Sequence, residues 1–187
     1  MSAPTQIGGL DVSTARIGYA APGGELVSIV AKTGAEDPIR RLHELWVGLI
    51  RTVRAYPPIP DLMVIEDYSL GMVKKTRSSA TGTHHTPVGV LSKIRLGEVG
   101  AVARLACYEW GVPITPVPVT TLKRFATGRG NADKEQMVAA AIRLGARGSV
   151  NHDEADAFHC RRIGRMAHGL ESATEDYERD ALSVVVW

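Results

Sequence analysis

The stretch Gly8-Gly9-Leu10-Asp11-Val12-Ser13-Thr14-Ala15-Arg16-Ile17-Gly18-Tyr19-Ala20 constrains the fold more than any other in the chain. It reads as a β-strand, a tight polar reversal, and a second strand leaving through Ile17, Tyr19 and Ala21 at period two. Asp11 stands where the first strand ends, among apolar and small residues. A carboxylate at the centre of a sheet costs several kcal/mol unless positive charge or hydrogen bonds compensate it. A lone Asp at a turn commonly bonds its own backbone. The weight of the reading therefore rests on what accompanies it.

Residues 26–32 alternate well enough to be a third, antiparallel strand. Asp37-Pro38 then opens a helix, a capping side chain followed by proline at the first helical position. Ile39, Leu42, Leu45, Trp46, Leu49, Ile50 and Val53 form its apolar stripe, with Arg40, Arg41, Glu44, Arg51 and Arg54 opposite. Pro57, Pro58 and Pro60 end it. Residues 62–66 are a short, continuous apolar run, as expected of a strand covered on both faces, and they end in Glu66 and then Asp67. Two strands each delivering a carboxylate to one end of a sheet is a rarer event than one. Ligand sites of α/β sheets lie at strand ends.

Residues 70–87 are polar and rich in Gly and Thr, and are read as a loop carrying Lys74, Lys75, Arg77, His84 and His85. Adjacent histidines with no third partner are more often exposed than ligating. A long helix is predicted over residues 88–110, with Ile94, Val99, Val102, Leu105 and Ala106 inward. Gly111 ends it, and residues 112–117 make a last strand that Pro113 and Pro116 place at a sheet edge. A short helix over 119–125 bears Lys123, followed by the turn Thr127-Gly128-Arg129-Gly130-Asn131 and a helix to residue 144 with Lys134 in its first turn. The Walker pattern is absent, so no P-loop nucleotide site is expected, although the helix-opening amides can meet a nucleic-acid phosphate.

The final long helix, residues 153–168, begins with Asp153 and Asp156, three apart on one face continued by Cys160, Ile163 and Ala167. Arg161, Arg162 and Arg165 are assigned to other faces. The two acids could equally be N-terminal charges that complement the helix dipole. Beyond residue 170 the chain is acidic and ends Leu182-Ser183-Val184-Val185-Val186-Trp187, an extra edge strand or a partner-binding segment.

With 187 residues, 44% of them hydrophobic, the chain suffices for one domain with a sizeable core, here residues 1–170 with a tail over 171–187. No run of 18 apolar residues and no basic-then-apolar N-terminus exists, so neither a membrane span nor a secretory signal is expected, and the compartment expected is the cytoplasm of a bacterium or a phage-infected host. Cys107 and Cys160 lack metal-ligand spacing and read as buried free thiols. Net charge is only +2, yet six Lys or Arg face one acid between Lys74 and Arg104, and six face two between Lys123 and Arg147. Such segments beside clustered acids suit a polyanion held over a metal site, and solvated helix faces would give the same runs.

Three strands, helix, strand, helix, strand, helix is the ribonuclease H-like plan: a mixed five-stranded sheet, three antiparallel strands then two parallel, flanked by helices. On residues 9–20, 62–67, the block from 117 to 138 (Lys123, Thr127-Gly128-x-Gly130, then Ala132-Asp133-Lys134-x-Gln136) and Asp153-Glu154-Ala155-Asp156-Ala157-Phe158, the chain resembles the RuvC family of Holliday-junction resolvases over residues 7–167. The third block is the most specific. The resemblance implies that Asp11, Glu66, Asp153 and Asp156 are catalytic, metal-binding acids holding two Mg²⁺ ions, with Mn²⁺ a possible substitute. Asp11 would bridge the ions, Glu66 and Asp156 would take outer positions, and Asp153 would ligate or orient water. Hard cations of this kind take oxygen ligands and keep waters. Lys123 and Lys134 match the lysines that meet DNA, and Tyr68 is the aromatic nearest the place of the family's junction wedge. Lys74, Lys75 and Arg77 join them as expected DNA contacts. A homodimer is implied, since paired symmetric cuts need two sites about a two-fold axis, with the helix over 88–110 at its interface. Whether a branch-migration helicase is a partner stays open. Asp11 precedes Val12-Ser13 where the family usually has Pro-Gly, and the 70–87 loop is longer and more basic than usual. Metal-dependent cleavage of four-way DNA junctions is therefore the expectation, beside a broader nuclease of branched DNA, flaps or RNA–DNA hybrids and a non-catalytic junction-binding protein.

Overall fold

The computed structural model describes residues 3–34, 36–67 and 87–185, with side chains of the last stretch from residue 92 onward. Tyr68, Lys74, Lys75, Arg77, His84 and His85 lie outside the described residues. Strands β1 (Ile7–Val12), β2 (Arg16–Ala20) and β3 (Leu26–Val30) precede helix α1 (Pro38–Ala55). Strand β4 (Leu62–Asp67), helix α2 (Pro87–Glu109) and strand β5 (Ile114–Pro118) follow. Four helices complete the chain: α3 (Val119–Thr127), α4 (Lys134–Arg143), α5 (His152–Ala167) and α6 (Asp176–Leu182). One five-stranded sheet has the order β3-β2-β1-β4-β5, antiparallel among the first three and parallel from β1 to β5. This is the mixed sheet expected, with proline-bearing β5 at an edge.

Register carries the first consequence for function. The parallel β1–β4 ladder pairs Ile7 with Leu62 through Leu10 with Ile65, so one further step sets Asp11 opposite Glu66. Period two then turns both carboxylates to one face, the face of Ile7 and Val64. That face packs on α3, α5 and α6 through Val117, Leu122, Phe125, Cys160 and Ile163. The other face packs on α1 and α2 through Leu10, Tyr19, Leu45, Leu49, Ile65 and Val99.

Helix α5 lies against the sheet more closely than side chains normally allow, because glycines sit beneath it. A Cβ on Gly9 would stand 2.0 Å from the Ala157 carbonyl oxygen, and one on Gly18 would stand 2.1 Å from that of Asp153. Gly9→Ala must therefore push α5 off the sheet, since a helix backbone cannot yield locally. We expect it to cost about 3 kcal/mol and to move Asp156 away from Asp11. Thermal denaturation and loss of divalent-cation binding by the folded fraction check this.

Several sequence expectations are corrected. In α2, Val99 and Ala106 are buried as expected, but Ala103 and Cys107 complete the inward face while Ile94 and Leu105 are exposed. The small residues are the ones packed against the sheet and α1. Arg41, assigned to the solvent face of α1, is buried, and its Nε and Nη2 have no partner among the described residues. Arg162 is also buried, for a reason given below. Residues 176–182 of the tail form helix α6, opened by a Glu175–Glu178 capping box, and residues 183–185 of the stretch considered as an edge strand are a turn and bend. Ala181 and Val185 enter the core beside Leu122 and Phe125. Both cysteines are buried free thiols, as expected. Among the described residues no helix is long and apolar enough to cross a membrane.

Candidate active site

A cleft of about 360 Å³ opens at the ends of β1 and β4. Asp11, Glu66, Asp153, Asp156, Lys123 and Lys134 all line it, together with Ser13, Thr14 and His152. Strands deliver Asp11 and Glu66, α3 delivers Lys123, and the first turn of α4 delivers Lys134. Helix α4 is started by Asp133, which accepts from the Gln136 N–H at 2.8 Å, while Gln136 accepts from the Asp133 N–H at 3.1 Å.

The head of α5 decides between the two readings of its acids. Asn151 accepts the Glu154 N–H at 3.0 Å, and the Glu154 carboxylate accepts the Asn151 N–H at 3.0 Å. Capping is thus done by Asn151 and Glu154. Asp153 and Asp156 are left free for the cleft.

Asp11, Glu66 and Asp156 each present a carboxylate oxygen within 4.8 Å of the other two. Asp153 lines the same cleft but stands apart from this trio, its Oδ2 4.0 Å from Nη1 of Arg16. Arg16 at the start of β2 had no signal in the sequence, because only the folded hairpin brings it to the head of α5.

Three acids so close and so dry repel one another. Burial, then the Glu66 and Asp156 charges, push the Asp11 carboxyl well above the usual carboxylate range. Burial also raises Glu66, with Lys123 and a hydrogen bond from Asp11 acting against it. Asp156 is pushed up to about 7 by burial and then by the Glu66 charge, offset in part by Lys123. The hydrogen bond between Asp11 and Glu66 raises the first carboxyl further and works against the rise of the second. Asp156 Oδ1 is buried with no hydrogen-bond partner among the described residues. Unpaired buried oxygens of this kind are uncommon and point to a missing cation or water.

Behind the cleft, His159 joins α5 to α4. Its Nε2–H donates to the Met137 carbonyl at 3.1 Å, and burial holds the ring pKa down to about 4, so the imidazole is neutral. It positions the helix that carries Lys134.

Sheet order and carboxylates at the ends of β1 and β4 and the head of α5 define a ribonuclease H-like α/β protein with an acid-lined cleft. No family model matches the chain. It is 30% identical over 173 residues to the crossover junction endodeoxyribonuclease RuvC of Anaeromyxobacter sp. (strain Fw109-5), covering 85% of this chain and 75% of that protein. The RuvC of Mannheimia succiniciproducens is 25% identical over 146 residues, and the match spans 76% of this chain and 64% of that protein's length. Among solved structures, Thermus thermophilus RuvC in complex with Holliday junction substrate superposes with a TM-score of 0.58 at 16% identity, covering 89% of this chain and 94% of that one. The chain belongs to the RuvC family.

Proposed function

We propose that the protein is a metal-dependent endodeoxyribonuclease that resolves four-way DNA junctions by paired, symmetric cuts. The observation that carries this is the trio Asp11, Glu66 and Asp156, oxygens within 4.8 Å, flanked by Lys123 and Lys134 in a RuvC-family chain.

The residues present fit divalent cations. The donors are all carboxylate oxygens, suited to Mg²⁺ or Mn²⁺ and poorly suited to softer metals. Asp156 Oδ1 is without a partner. Asp11, Glu66 and Asp156 would hold two ions, with Asp153 completing the set once it leaves Arg16. When bound, such ions activate a water and stabilise the leaving oxygen of an in-line displacement. Lys123 and Lys134 bring positive charge to the substrate phosphate, and Lys134 stabilises charge developing on its oxygens. Loading such ions would favour the ionised forms of Asp11, Glu66 and Asp156, all of which burial holds above the ordinary carboxylate range.

Proton release is therefore expected on loading. At pH 6, below the value of about 7 for Asp156, Mg²⁺ or Mn²⁺ binding should release about one proton or more per site. At pH 8.5 the release should fall. Calorimetry in buffers of differing ionisation enthalpy reads this, and equal release at both pH values would contradict it.

A homodimer fits the two-fold symmetry of a four-way junction. Ile94, Leu105 and Tyr108 lie along one exposed face of α2, 53%, 54% and 81% accessible, an apolar stripe suited to a second copy. Cleavage of a synthetic mobile junction, with linear duplex, flap and hybrid controls at matched salt, tests the reading. Symmetric nicks that need Mg²⁺ support it. Binding without cleavage in any divalent metal overturns it.

A further inference from the structure

A pocket of about 580 Å³ lies away from the carboxylate cleft. It lies between the β2–β3 turn, the loop after α4 and the middle of α5. Strand β2 starts beside the cleft at Arg16 and runs away from it, so this turn is at the opposite end of the sheet. Leu26, Leu144 and Phe158 are its apolar lining, and its charged lining is Arg147, Arg161 and Arg162 with Glu25 and Glu171.

Arg161 is the informative residue. Its Nη2 donates to the Pro22 carbonyl at 3.1 Å, but its Nε is buried with no acceptor among the described residues. Among the described residues no carboxylate lies within ion-pair distance of it, whereas its neighbours Arg162 and Arg165 both pair with Glu171. Burial, and then the Arg165 charge, disfavour its cationic form. A partly buried guanidinium that lines open space with no carboxylate paired to it among the described residues is half of an anion site. Arg147 adds a second, exposed cation with no ion-pair partner among the described residues. Glu25 and Glu171 are the opposing charges, Glu171 being already paired with Arg162 and Arg165.

We propose that this pocket binds a mononucleotide-sized phosphate ester, its phosphate held by Arg147 and Arg161 and its organic part on Leu26, Leu144 and Phe158. Guanidinium forks match phosphate oxygens in pairs. A lone oxyanion would leave most of the volume empty, and the volume falls within the range of small-molecule sites. Distance from the cleft separates this ligand from the DNA strand being cut, and the inference does not rest on the nuclease reading.

Calorimetric titration of the full chain in metal-free, low-salt buffer, with deoxyadenosine monophosphate and separately with inorganic phosphate, tests it. The nucleotide should bind about tenfold more tightly than phosphate, and Arg161→Met or Arg147→Ala should each weaken it about tenfold or more. Glu25→Gln should tighten it. Arg161→Met keeps the stem that packs over Gly9, and surface-exposed Arg147→Ala guards against misfolding of the first variant. No binding at several millimolar nucleotide overturns the proposal. So does equal affinity for phosphate, binding unchanged in both arginine variants, or binding abolished by Lys134→Ala, which would put the nucleotide in the cleft.

Discussion

Asp11→Asn is expected to abolish junction cleavage while making the metal-free protein more stable. On the proposed reading the central carboxylate supplies several kcal/mol of transition-state stabilisation, so the rate should fall by ~10³-fold or more. Stability moves the other way because Asp11 is buried against Glu66 and Asp156. Asparagine keeps a donor toward Glu66 and takes one titratable carboxyl out of the crowded trio. Like charges this close repel by a few kcal/mol at the effective dielectric of a protein interior. A net gain of about 2 kcal/mol would raise the melting temperature of a chain this size by roughly 6 °C. The sign with pH follows from linkage. Folded-state values raised above unfolded ones give stability that is full below about pH 4 and is lost as pH rises through about 7 for Asp156. The advantage of Asp11→Asn should therefore be small at pH 5 and largest at pH 8. Adding Mg²⁺ should stabilise the wild type and leave the variant unmoved. A variant less stable than the wild type in chelator at pH 8 would contradict this account of the cleft.

Much of that cleft was legible because its elements follow simple periods. Period two and a parallel neighbour put Asp11 and Glu66 side by side, and a spacing of three puts Asp153 and Asp156 on one side of a helix. What periodicity could not give was their division: Asp156 joins Asp11 and Glu66, while Asp153 turns to Arg16. Nor could it tell capping acids from cleft acids, which the Asn151–Glu154 pair settles. Helix α2 misled because alanines carry its packed face and larger aliphatics its exposed one. The tail misled because Val184 and Val185 favour a strand locally, whereas contact with α3 and a capping box set a helix just before them. Arginine was the residue type read worst. A periodic pattern sends every arginine to solvent, and it cannot show the carboxylates of residues 171 and 178 that bring Arg162 inside.

Arg162 is the case with the largest consequence. Its Nε donates to Glu171 and its Nη1 to Glu178, both at 2.6 Å, and its guanidinium lies 5.4 Å from the centre of the Phe125 ring. Glu178 also accepts the Thr174 and Glu175 N–H groups at 2.7 and 3.1 Å. Burial works against its carboxylate, yet these hydrogen bonds hold its pKa below the ordinary value. The clamp fastens the segment after residue 170 onto α3, the helix that carries Lys123, and Tyr177 packs over Gly128 at the end of α3. Arg162→Met strands a buried carboxylate at Glu178, 1% exposed, and leaves Glu171 at the surface. Breaking a buried pair from one side costs about 3–5 kcal/mol, so the melting temperature should drop by roughly 10 °C. Adding Glu178→Gln to Arg162→Met should recover part of that loss, because the amide oxygen still accepts the two backbone N–H groups and no charge is left stranded. A double variant less stable than Arg162→Met alone would show that the carboxylate is stabilised by its backbone donors and owes little to the arginine. A double-mutant cycle measures the coupling directly. Chain ended at residue 170 would lose the clamp and expose Leu122 and Phe125 together, so it is expected not to fold, and circular dichroism of that fragment decides whether the tail belongs to the nuclease domain.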